Sequence, residues 1–159
     1  MKSLAAFFTG LVLYSSVAWA GQIEPIDGWK VIDTAAPFAT MSERLEAAVK
    51  ANKMGLVTTA SASEGAKAQG VTIPGNRVVG VFRNDFARRM LKSNLSAGIE
   101  APIRFYLVEN PNGSSTLAYK TPSTVFAPYM AKADVDLKVL AAELDVIFAK
   151  IADDAITAK

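Results

Sequence analysis

Apolar and polar positions recur along the chain with two periods, and each period predicts an element. Trp29-Lys30-Val31-Ile32-Asp33 suggests a first strand. Phe38, Met41, Leu45, Ala48 and Val49 then follow the i, i+3, i+4, i+7 rule, with Glu43, Arg44, Glu46 and Lys50 on the other side. That pattern predicts an amphipathic helix. It starts at Thr40 if Thr40 and Glu43 form a capping box, and earlier if Phe38 belongs to the stripe. Residues 54–59 have the β-branched content of a strand, residues 61–69 suggest a short helix, and Pro74-Gly75-Asn76 marks a turn. Val78, Val79, Val81 and Phe82 make a further strand, in which Gly80 signals a bulge or a close backbone approach. After Asn84-Asp85, which can cap, Phe86, Ala87, Met90 and Leu91 gather on one side of a helix and Arg88, Arg89 and Lys92 on the other.

Ile103, Phe105 and Leu107 alternate with Arg104, Tyr106 and Val108, the period-2 signature of a strand with one buried face. The turn signal Glu109-Asn110-Pro111-Asn112-Gly113 returns the chain into residues 116–121, which predicts a β-hairpin with a loop of several residues. Pro122 closes that strand, and Phe126, Pro128 and Tyr129 form an aromatic connection. Residues 134–151 make a long final helix with Leu137, Leu140, Leu144, Ile147, Phe148 and Ile151 as its core stripe, and Asp153-Asp154 falls in a frayed tail. Val139 and Val146 lie off that stripe, where a second subunit or a loop could meet them. A hairpin as the strongest strand pair favours α+β over a doubly wound parallel sheet. The expected fold is an antiparallel sheet of four or five strands with two long helices packed on one face.

The first twenty residues form an address. Lys2 is a minimal positive region, an apolar stretch runs from Leu4 to Val17, and Ala18-Trp19-Ala20 is a small-x-small cleavage triplet. The apolar run is shorter than a spanning helix needs. Cleavage after Ala20 and a periplasmic or secreted location are therefore expected, with residues 21–159 as a single domain. Removing 20 of 159 residues leaves 139, enough for a core without staples. Loss of Lys2 leaves sixteen basic against fifteen acidic residues, a net charge of +1. That balance argues against nucleic-acid binding and against membrane binding once the leader is gone.

Cys and His are both absent. Disulfides, Cys- or His-ligated zinc, c-type haem attachment, Cys nucleophiles and a Ser-His-Asp triad are excluded with them. No metal or cofactor is expected, and an enzyme of this composition would have to use carboxylate, Arg, Lys, Tyr, Ser or Thr side chains.

The stretch from Val78 to Tyr129 carries a more specific signal. Residues 78–85 (VVGVFRND), residues 96–106 (SAGIEAPIRFY), the Asn112-Gly113 turn and residues 117–123 (LAYKTPS) together resemble the domain of unknown function 302 family, with similarity over residues 53–151. The family commonly has Phe-Gly-Asn-Pro where this chain has Phe82-Arg83-Asn84-Asp85, so Asn84 matches and its neighbours depart. The resemblance implies a small α+β domain with an antiparallel sheet. It implies no established reaction and transfers no catalytic residue.

Three groups of side chains are candidates for function. Asn84 could orient a ligand or simply cap the following helix. Glu100, Arg104 and Tyr106, joined by Tyr119 or Lys120 according to the hairpin register, could form a polar and aromatic patch for a small anionic or carbonyl-bearing molecule. Arg88, Arg89 and Lys92 could meet an anion or an acidic partner, or stand as a solvated face. Glu100 and Glu109 are the nearest sequence pair for two-carboxylate chemistry. The leading expectation is a binding or accessory protein for a small molecule or a protein partner. The alternatives are an enzyme built on carboxylate, Arg and Tyr side chains, or a structural homodimer through the last helix.

Overall fold

The computed structural model describes residues 23–158; the expected leader and its cleavage site lie outside them. Five strands, β1 (Trp29–Thr34), β2 (Gly55–Ala60), β3 (Asn76–Phe82), β4 (Ile103–Glu109) and β5 (Ser115–Lys120), form one antiparallel sheet in the order β1-β5-β4-β3-β2. The helices are α1 (Phe38–Ala51), α2 (Ala62–Ala68), α3 (Asn84–Ser93), α4 (Pro122–Met130) and α5 (Val135–Thr157), and a 3₁₀ segment, Leu95–Glu100, follows α3. This is the α+β architecture expected, with five strands and with α1 and α5 as the two long helices.

One face of the sheet makes the core. Val79 and Val81 of β3, Ile103, Phe105 and Leu107 of β4, and Leu117 and Tyr119 of β5 pack with the buried stripes of α1, α3 and α5. Phe148 of α5 stacks on Phe105 with ring centroids 4.7 Å apart and tilts against Tyr119 at 5.8 Å. Arg77, at the end of β3, reaches α1 from this face, donating to Ser42 Oγ at 2.5 Å and pairing with Glu46 at 2.8 Å.

Several local expectations need correction. Helix α1 starts at Phe38 behind Pro37, so the Thr40–Glu43 capping box does not form. The aromatic connection after Pro122 is itself a helix. Pro122 occupies its first turn, where a missing N–H costs nothing, and Thr121 Oγ1 accepts from the Thr124 amide. Helix α5 continues to Thr157 because Ala152 and Ala155 are buried and Asp154 is held by Asn52 and Lys150. Those two partners also keep the Asp154 carboxyl below its usual range, Lys150 being the larger influence.

Candidate functional site

The side chains that alternate with the core rows form the other face of the sheet. In register, Trp29 of β1 pairs with Lys120 of β5. Continuing the β4–β5 pairing one residue beyond Phe105 and Tyr119 sets Arg104 across from Lys120. Arg104 pairs with Gly80 of β3, and Gly80 with Thr58 of β2. One row therefore runs Trp29, Lys120, Arg104, Gly80, Thr58 across all five strands. The next row runs Val31, Ala118, Tyr106, Val78, Ala60.

Lys120 and Arg104 are exposed, Tyr106 is 36% exposed, and Ala118, the small residue between Val31 and Tyr106, is fully covered by its neighbours. Lys120 Nζ stands 5.5 Å from the centroid of the Trp29 ring, within cation–π range. Neither Arg104 nor Lys120 makes an ion pair among the described residues. Like charges directly opposite on neighbouring strands are destabilising. A cross-strand pair of unneutralised cations beside an indole is therefore a costly arrangement that an anionic group would relieve.

Tyr119 does not belong to this patch. It points into the core, 5% exposed, tilted against Phe105 at 5.1 Å, and burial raises its hydroxyl pKa, with the Asp145 charge adding to the effect. Of the two register options left open by the sequence, the structure selects Lys120. Glu100 is also placed elsewhere: at the end of the 3₁₀ segment it accepts a 2.6 Å hydrogen bond from the Tyr129 hydroxyl, a bond that pushes the Tyr129 pKa up. Glu109 sits at the far end of β4, holding the Gly75 amide at 2.7 Å. With the length of β4 between them, roughly 20 Å at strand rise, Glu100 and Glu109 do not form a carboxylate pair.

Asn84 opens α3 and is exposed; the residue in the cap position is Arg83, with no side-chain cap. Arg83 bonds Asp85 at 2.8 Å, which lowers the Asp85 pKa, and lies 4.2 Å over the Phe86 ring. The three cations of α3 part company. Arg89 turns to α5 and takes Asp136 and Glu143, both at 2.6 Å, while Arg88 and Lys92 stay exposed. A cavity of about 30 Å³ opens between the sheet, α3 and α5, lined by Met54, Val81, Met90, Leu144 and Phe148 among others, with Arg83 as its charged member. It lies on the core face, away from Arg104.

Trp29 was not singled out from the sequence. It enters the row through the β1–β5 pairing, whereas the hairpin loop, where Asn110 N donates to Ser114 O at 2.8 Å and Glu109 pairs with Ser115, fixes only which residues of β4 and β5 stand opposite one another.

Fold and face together define an α+β domain with a helix-covered core and an open aromatic and cationic sheet surface. The pattern of the family described as domain of unknown function DUF302 matches residues 30–155, and the chain belongs to that family. A crystal structure described as an uncharacterized conserved protein DUF302 from Bacillus stearothermophilus shares the fold. Its TM-score is 0.70 at 21% identity, over 82% of this chain and 99% of that one. Among curated proteins none matches.

Proposed function

We propose that this is an exported binding domain whose open sheet face receives a carboxylate-bearing segment of a protein partner. The observation that carries the reading is the unneutralised Arg104–Lys120 pair beside Trp29 and Tyr106. The face is open rather than enclosing, which suits an extended acidic segment better than a small molecule, since small-molecule sites are concave. Guanidinium and ammonium would bind carboxylates, and the two rings would supply rigid contact area with little entropy to lose.

The chain has two tryptophans, Trp19 and Trp29, so Trp29 is the sole indole of a chain beginning at Gly21 and reports directly on this face. Titration of that chain with a poly-glutamate peptide is expected to change Trp29 fluorescence saturably. Added salt weakens the response, and R104Q/K120Q suppresses it by about tenfold or more, as loss of charge-assisted bonds implies. A silent Trp29, or an equal response from R104Q/K120Q, overturns the reading.

A second reading, a homodimer through α5, is favoured by one observation. Val135, Val139, Ala142, Val146 and Ala149 are exposed on the side of α5 opposite its core stripe, spaced alternately by four and three residues as in a two-helix seam. The native mass of protein recovered from the periplasm tests this reading together with export. Two copies of a chain beginning at Gly21, reduced to one by V139D/V146D, is the dimer's expected result. A single copy at all concentrations rejects it, and failure to recover the chain from the periplasm rejects export.

A further inference from the structure

The cavity between the sheet, α3 and α5 has one charged residue in an otherwise apolar wall. Phe86, Met90, Leu144 and Phe148 are among its buried lining residues, and the half-buried ones, Phe82, Arg83, Ala87 and Ala101, mark where it opens. Leu91, which the sequence pattern grouped with Phe86 and Met90, takes no part: it is 44% exposed and lies against Gly98. A water is held in a cavity by about two to four polar partners, which this lining does not supply, so the interior of about 30 Å³ suits carbon. At about 10–15 Å³ for each water-sized group, it takes two or three carbon atoms. Met54 and Met90 in the wall are flexible side chains that adapt to such a guest.

Arg83 is fixed at this opening. Its Nε donates to Asp85 Oδ1 at 2.8 Å, and its guanidinium lies 4.2 Å over the Phe86 ring. Neither terminal nitrogen makes a hydrogen bond among the described residues, so the end of the fork is free on a plane that is already set. That end can take a carboxylate in two parallel bonds. The charges nearby do not suit a simple anion. Arg83, Arg88, Arg89 and Lys92 are outnumbered by Asp85, Asp134, Asp136, Glu143 and, beside Ala101, Glu100. A ligand that meets the fork with a carboxylate must therefore bring a positive charge of its own. Asp85, exposed beside Arg83 and kept ionised by it, stands ready to receive that charge.

We propose that this opening binds a small aliphatic α-amino acid of valine size, its carboxylate on the Arg83 fork, its ammonium on Asp85 and its side chain in the cavity. An α-amino acid carries both charges on one carbon, which matches a cation and an anion held side by side at 2.8 Å. Valine's isopropyl group has the three carbons that the interior accepts, whereas a phenylalanine ring exceeds it. Because the plane of Arg83 is already held by Asp85 and Phe86, little side-chain freedom is lost on binding. The site lies on the core face and does not depend on the reading given for Arg104 and Lys120.

Every helix and strand lies between Trp29 and Thr157, so the chain beginning at Gly21 keeps the whole core. That chain is titrated with L-valine by calorimetry, and its thermal midpoint is followed with and without valine. Saturable binding and a raised midpoint are expected, since a ligand of the folded state stabilises it. Isovalerate, which lacks the ammonium, and isobutylamine, which lacks the carboxylate, are expected to bind about tenfold more weakly, and R83Q and D85N to weaken valine binding by a similar factor. A87L sets a larger side chain at the opening and is expected to abolish binding, while R104Q/K120Q binds valine as the parent does. Absence of both saturable heat and a raised midpoint overturns the inference, as does equal binding of isovalerate or isobutylamine. Unchanged affinity in R83Q and D85N also overturns it, and these two variants decide the matter even if A87L fails to fold. Loss of valine binding in R104Q/K120Q would move the site to the other face and overturn it too.

Discussion

Phe148→Ala is expected to lower the stability of the chain by about 3–5 kcal/mol and its thermal midpoint by about 10–15 °C. Phe148 is fully buried at the centre of the aromatic group formed with Phe105 and Tyr119. Truncation removes its transfer free energy and both ring contacts, which are worth roughly 0.5–1.5 kcal/mol each beyond burial. It also enlarges a space that already exists, because Phe148 lines the 30 Å³ cavity between the sheet, α3 and α5. Residual cavity costs about 24 cal/mol per Å³, and Leu144 and Leu140, anchored on the same helix face, cannot close over the gap without moving α5. Phe148→Leu keeps most of the volume and is expected to cost less than half as much. Urea unfolding with an unchanged slope checks both; an alanine variant within 1 kcal/mol of the parent, on the scale of those estimates, would sink the argument.

The parts of this fold that were legible in the sequence are those where one periodicity runs long enough to dominate. The stripe of Met41, Leu45, Ala48 and Val49 had no competing reading, nor did the alternation from Ile103 to Val108. Helix α4 was hidden because its signals were ambiguous: Pro122 ends a strand and begins a helix equally well, and the choice was made by Thr121 capping the next turn and by Phe126 finding the core. The far end of α5 was hidden because alanines carry little pattern. Ala152 and Ala155 are buried by what packs against them, which no local window contains.

The candidate site shows the same limit. Arg104 and Tyr106 share a face by period alone, yet whether Tyr119 or Lys120 joins them depends on a loop length, and a shift of one residue exchanges the two. Trp29 enters the row only through the β1–β5 pairing, a contact between residues 91 positions apart. The division of labour among Arg88, Arg89 and Lys92 likewise rests on where α5 lies, not on α3. Side chains read from one element as a common cationic face are sorted by the neighbouring element into one structural bridge, from Arg89 to Asp136 and Glu143, and two exposed charges, Arg88 and Lys92.

Gly80→Val carries the second large effect, and it bears on the same row. A Cβ on Gly80 would stand 2.1 Å from Thr58 Oγ1 and 2.8 Å from Pro102 Cγ. Thr58 can rotate away, but the Pro102 ring is fixed to the backbone that enters β4, so relief requires the strands to shift. Beside this point β2 already carries a register irregularity, between Leu56 and Thr58. Both sequence-based meanings of a glycine within a strand, bulge and close approach, are thus met at neighbouring positions. Overpacking of this kind costs about 1–3 kcal/mol, with Gly80→Ala at the lower end and Gly80→Val at the upper, read as a fall in the urea midpoint. Thr58→Ala in the Gly80→Ala background is expected to recover part of the loss, because it removes one of the two obstacles, and the remainder measures Pro102. A Gly80→Val midpoint equal to the parent's would mean that the approach of Pro102 is not enforced. If it is enforced, the space over Gly80, on the side of Arg104 away from Lys120 and Trp29, is filled by Thr58 and Pro102 rather than by a side chain of β3.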